Sequence, residues 1–125
     1  MKVVPVAMVA VLAILASAAY AGQNRADPVA AGKQVYDRNC VACHGAGPGY
    51  PPFPELTGTG ALRAKYNGQV PAVLTERTDL TPEVVAYFVR NGASVMAAYR
   101  KTEISDQELA QLGAYLARKR PGRTR

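Results

Sequence analysis

The chain has 125 residues, enough for one domain and too few for two, with a formal charge of +6, two cysteines and a single histidine. The excess charge is local: Lys2 and the five basic residues Arg118, Lys119, Arg120, Arg123 and Arg125 account for it, and the remaining Lys and Arg balance the nine Asp and Glu. That distribution excludes a nucleic-acid footprint, which needs basic and aromatic residues interleaved over a surface-forming segment.

Residues 1–21, MKVVPVAMVAVLAILASAAYA, run from one lysine through an apolar stretch to the small-residue ending Ala19-Tyr20-Ala21. This is the order of a secretory signal peptide cleaved after Ala21. An uncleaved anchor is the rival reading, because the stretch is about long enough to span a bilayer. Pro5, the A-x-A ending and the polar residues that follow argue for removal, and no cysteine follows to accept a lipid. The mature chain is therefore expected to be periplasmic or otherwise exported, without stable membrane insertion. Residues 22–27 read as a disordered lead, 28–118 as the folded domain and 119–125 as a basic, solvated tail.

Asp27 followed by Pro28 is a helix cap with proline at the first helical position. It opens an expected helix from about Pro28 to Asn39, with Val29, Gly32, Val35 and Tyr36 on one stripe, that runs directly into Cys40. From Gly45 the text becomes GAGPGYPPFPELTGTG, too rich in glycine and proline for helix or central strand, and reads as an ordered loop. A short helical segment is expected from Ala61, then a connector over Gln69–Leu80. Thr81-Pro82 repeats the cap-plus-proline signal and opens a helix that stops at Asn91-Gly92, with Val84, Val85, Phe88 and Val89 as its apolar stripe. Ser105 and Glu108 form a capping box, Ile104 and Leu109 are placed as a hydrophobic staple, and Leu109, Leu112, Gly113 and Leu116 follow at helical spacing. No period-two pattern of useful length and no internal repeat appears. The expectation is an all-α domain of three to five helices joined by long loops.

Both cysteines and the only histidine lie within Cys40-Val41-Ala42-Cys43-His44. Structural zinc wants four ligands, and no second group of Cys or His exists. A thioredoxin-like redox pair wants a βαβ context that is missing. A disulfide between residues three apart closes too small a loop to add much stability, and it leaves His44 without a role. Covalent haem uses every member: two thiols add across the two vinyl groups of one porphyrin edge, and the following histidine is carried under the iron. A second soft or imidazole ligand can only be Met96, since Met1 and Met8 leave with the signal peptide and there is no other histidine. Met96 lies in ASVMAAY, between the Asn91-Gly92 stop and the last helix. Its rival reading is simple core filling.

Taken together, helix, C-x-x-C-H, proline-rich loop, helix ending in Asn-Gly, methionine loop and C-terminal helix resemble the small class I c-type cytochromes over roughly residues 28–118. The resemblance implies a small cytochrome c fold wrapped around one covalently bound haem c. Cys40 and Cys43 would form the thioethers, and His44 and Met96 the axial ligands. Gly32 and Tyr36 would cross Leu112 and Tyr115. Pro54-Glu55-Leu56-Thr57-Gly58 is similar to the family's Pro-x-Leu-x-Gly loop, in which a proline carbonyl accepts a hydrogen bond from the proximal histidine. Phe53 stands where a glycine usually precedes that proline, Pro51 and Pro52 are alternatives, and Ala97 replaces a proline common after the methionine.

With both axial positions filled, the resemblance implies a carrier of single electrons between redox proteins, with no substrate site and no enzymatic activity of its own. An alternative is the electron-accepting cytochrome subunit of a flavin-dependent dehydrogenase or hydroxylase. The segment RTDLTPEVVAYFVRNG…RKTEISDQELAQLGAYL is similar to cytochrome subunits of periplasmic flavocytochromes that hydroxylate alkylphenols. A second alternative is a haem enzyme or ligand sensor with the Met96 position open. Arg63 and Lys65 are candidate partners for haem propionates, although no pattern places them there.

Overall fold

The computed structural model describes residues 27–118. The expected signal peptide, the lead except for Asp27, and the basic tail lie outside them. Five helices are described: α1 (Pro28–Asn39), α2 (Val41–His44), α3 (Thr57–Tyr66), α4 (Pro82–Asn91) and α5 (Asp106–Ala117), with a 3₁₀ turn over Leu74–Glu76 between α3 and α4. Among the described residues there is no strand, only an isolated antiparallel bridge between Ala93 and Met96.

The three long caps form as their sequences dictate. Asp27 Oδ1 accepts from the Val29 amide at 3.0 Å, and Thr81 Oγ1 accepts from the Val84 amide at 3.3 Å. Ser105 and Glu108 close a reciprocal capping box, with the Glu108 amide donating to Ser105 Oγ at 3.2 Å and the Ser105 amide donating to Glu108 Oε2 at 2.8 Å. Each cap satisfies amides that the helix itself leaves without partners.

The core sits where α1 and α4 pack on α5. Val35, Tyr36, Val85, Val89, Ile104, Leu109, Leu112, Tyr115 and Leu116 form one buried cluster. At the crossing of α1 and α5 the backbones touch: a Cβ on Gly32 would stand 1.9 Å from the Gln111 carbonyl oxygen and 2.8 Å from Tyr115 Cβ. Tyr36 and Tyr115 meet beside it, with ring centroids 5.6 Å apart. The crossing expected from Gly32, Tyr36, Leu112 and Tyr115 is the one observed.

Two expectations need correction. The helix expected from Ala61 starts at Thr57, so Thr57-Gly58-Thr59-Gly60 is helical despite its poor intrinsic propensity. The cause is tertiary: Thr59 is buried, and its hydroxyl donates to the Gly45 carbonyl at 2.8 Å, pinning the first turn of α3 to the chain leaving His44. The stripe on α4 also divides. Val85 and Val89 are buried, whereas Phe88 is half-buried and Val84 is exposed.

Candidate functional site

The cysteine motif is held between the end of α1 and the start of α3. The Cys40 amide caps α1 by donating to the Tyr36 carbonyl at 2.8 Å, and the chain turns at once into α2, whose His44 amide donates to the Cys40 carbonyl at 2.9 Å. Cys40, Cys43 and His44 therefore share one helical turn. Tyr36 Oη donates to the His44 carbonyl at 3.0 Å, so the core of α1 grips the end of the motif.

Cys40 and Cys43 are both free thiols, the first half-buried and the second exposed. Burial pushes the Cys40 thiol up to about 11, with a smaller push from Cys43. A reactive redox cysteine needs the opposite shift, so Cys40 is unsuited to be an attacking thiol. Among the described residues no group of three or more His, Cys, Asp or Glu side chains converges, which leaves the tetrahedral donor set of a zinc site unmade.

Burial also lowers the His44 pKa, which favours the neutral imidazole, the form that ligates a metal. Its Nδ1 is buried and has no hydrogen-bond partner among the described residues. The bond to a proline carbonyl implied by the resemblance is thus not made. The ring lies instead against the first turn of α3, where a Cβ on Gly58 would stand 2.6 Å from His44 Cε1 and 2.8 Å from Nδ1.

The methionine segment is a tight turn. Ala93 and Met96 exchange both backbone hydrogen bonds, at 3.0 and 2.9 Å, around Ser94, whose φ is +53°. Gly92, at φ +70°, has no room for a side chain: a Cβ would stand 2.4 Å from the Met96 carbonyl oxygen. Met96 is half-buried, while Val95 beside it is 85% exposed. The segment is tied to the cysteine motif by Tyr99, whose hydroxyl donates to the carbonyl of Asn39, the residue before Cys40, at 3.0 Å.

Of the candidate propionate partners, Arg63 is engaged by Glu55 through Nε and Nη2, and Lys65 lies over the Tyr66 and Phe88 rings. The buried cation of this region is Arg77, which pairs through Nε and Nη2 with Asp79 and stands 4.7 Å from the Tyr66 ring centroid. Sequence reasoning missed Arg77, Thr59 and Tyr99, because each acts through partners distant in the chain or through burial.

These features fit a large, flat, apolar group held by thioether bonds. A half-buried imidazole sits on the same turn as two free thiols. Large apolar side chains stand exposed in each flanking segment: Val41 in the motif, Phe53 in the loop, Val84 on α4 and Val95 beside Met96.

The family described as cytochrome C oxidase, cbb3-type, subunit III matches residues 27–116, which is most of the chain and contains the whole site. The chain belongs to the class I monohaem c-type cytochromes. Cytochrome c6 of Picosynechococcus sp. is 34% identical over 88 residues, covering 70% of this chain and 70% of that protein. Cytochrome c6 of Leptolyngbya boryana is 30% identical over 87 residues, covering 70% of this chain and 87% of that protein. No solved structure matches the chain. As a c-type cytochrome it has the small all-α cytochrome c fold, carries covalently bound haem c, and transfers electrons with redox partners rather than acting as an enzyme. Among its described residues no helix is long and apolar enough to cross a membrane.

Proposed function

We propose that this cytochrome is exported, loses residues 1–21, and carries single electrons between redox proteins of the periplasm, with 28–118 as its working domain and 119–125 as a basic tail. In this reading Cys40 and Cys43 form the thioethers, and His44 and Met96 are the axial ligands. The observation that carries it is the half-buried His44 imidazole, which sits on the same helical turn as both free thiols.

Haem c, when bound, supplies a one-electron ferric–ferrous couple. The chain's own residues decide what that couple can do. Tyr36, through the His44 carbonyl, and Gly58, against the ring, fix the imidazole. Met96 offers a soft thioether that favours the reduced state, and the Ala93–Met96 turn presents it. The buried side chains of α5, Leu109, Leu112 and Leu116, keep water from the interior and favour the reduced state too. If His44 and Met96 both held the haem iron, they would leave it no open site for a substrate.

The test is the ferric absorption spectrum together with carbon monoxide binding to the reduced protein. A far-red sulfur-to-iron charge-transfer band and slow binding are expected. Rapid binding without the band would favour the ligand sensor with an open position. The flavoenzyme-subunit reading draws support from Tyr87, an aromatic left 61% exposed on α4 within the segment that carries that resemblance. Copurification with a yellow, flavin-bearing protein is its expected signature, and a lone red monomer argues for the free carrier.

A further inference from the structure

Ala97 has no ring to fix the backbone after Met96, so the hold on the methionine segment must come from elsewhere. It comes from Tyr99, three residues on. The Tyr99 amide donates to the Val89 carbonyl in the last turn of α4 at 2.8 Å, and its own carbonyl accepts from Arg90 Nη1 at 3.1 Å. Arg90 is braced in turn by Asp106 at the start of α5, 3.1 Å away. The Tyr99 hydroxyl then reaches across to the Asn39 carbonyl, the last residue of α1. The ring itself packs against the buried core.

One residue thus fastens the methionine segment to α4 and α5 through its backbone, and to the cysteine motif through its side chain. Residues 97 and 98, the only links between Met96 and this anchor, are both exposed alanines without side-chain bonds of their own. We infer that Tyr99 is a positioning residue for Met96, and that its hydroxyl bond to Asn39 sets how readily the methionine sulfur is displaced. The inference rests on the proposed ligation by Met96. Without the hydroxyl, the segment keeps its backbone anchors to α4 but loses its fixed distance from the turn bearing Cys40, Cys43 and His44. Displacement then becomes easier: an external imidazole nitrogen takes the position the sulfur leaves, and no electron is transferred.

The experiment is titration of the full-length ferric holoprotein with free imidazole, followed by loss of the far-red band, in wild type, Tyr99→Phe and Asp27→Ala. Asp27 caps the end of α1 remote from Cys40, so its variant weakens the fold without touching the methionine segment. Tyr99→Phe is expected to bind imidazole about fivefold more tightly, the factor that corresponds to one lost hydrogen bond. Asp27→Ala should bind as wild type does. Arg90→Gln, which frees the Tyr99 carbonyl but keeps the ring, is expected to shift affinity in the same direction. An unchanged affinity in Tyr99→Phe overturns the inference while leaving Met96 ligation standing. Equal shifts in Tyr99→Phe and Asp27→Ala overturn it as well, since they would report only general stability. Absence of the band from wild type overturns Met96 ligation, and the positioning role with it.

Discussion

At Gly92 the chain needs two things that only glycine supplies: φ of +70° and empty space where the Met96 carbonyl approaches. A methyl group there would lie 2.4 Å from that oxygen, and the oxygen is itself bonded to the Ala93 amide. Gly92→Ala is therefore expected to distort the methionine turn first. Its far-red band should weaken or vanish, and stability should fall by more than about 1 kcal/mol. A variant with an intact band and wild-type stability would show that the turn tolerates the side chain. His44 and the two cysteines could be proposed from the sequence because they fall within five neighbouring positions. Tyr99 was not, because its role depends on a carbonyl 60 positions away in the chain.

Helix ends were legible where the cap is local. Asp27-Pro28, Thr81-Pro82 and Ser105 with Glu108 each satisfy amides within three residues, so the sequence alone fixes them. The start of α3 was not legible. Thr57-Gly58-Thr59-Gly60 has the composition of a loop, and it is helical because Thr59 is anchored to Gly45. Gly32→Ala would drive a methyl group into the Gln111 carbonyl and force α1 from α5. A loss of about 1–3 kcal/mol is expected in denaturant unfolding. A loss below about 0.5 kcal/mol would mean the crossing can slide. The capping box carries a pH dependence. The Glu108 carboxyl is held below its usual range, first by the Ser105 amide, then by the Ser105 hydroxyl, with Arg38 adding less. A carboxylate with a depressed folded-state pKa stabilises the fold above the unfolded value of 4.5, and that contribution is lost as pH falls through the folded value. The stability difference between wild type and Glu108→Ala should accordingly be present at neutral pH and shrink in acid. A difference that is the same at both would remove the carboxylate from the cap.

At the scale of the whole molecule, charge is largely cancelled in place among the described residues. Arg38 pairs with Glu108, Arg63 with Glu55, Arg90 and Lys101 with Asp106, and Arg100 with Glu103. Such a surface offers little long-range attraction to a partner. Electron-transfer rates of a chain truncated before Lys119 should therefore vary only weakly with added salt. If the full-length rate falls steeply with salt and the truncated one does not, the basic tail steers docking; equal, steep slopes in both would place steering on the folded domain instead. The measurement closest to the central claim is the absorption spectrum of the reduced pyridine derivative of the purified protein, taken before and after acid–acetone extraction. The expected result is the band of a haem whose two vinyl groups are saturated by Cys40 and Cys43, with the colour remaining on the polypeptide. The band of a haem with free vinyl groups, or colour passing wholly into the acetone, would contradict it.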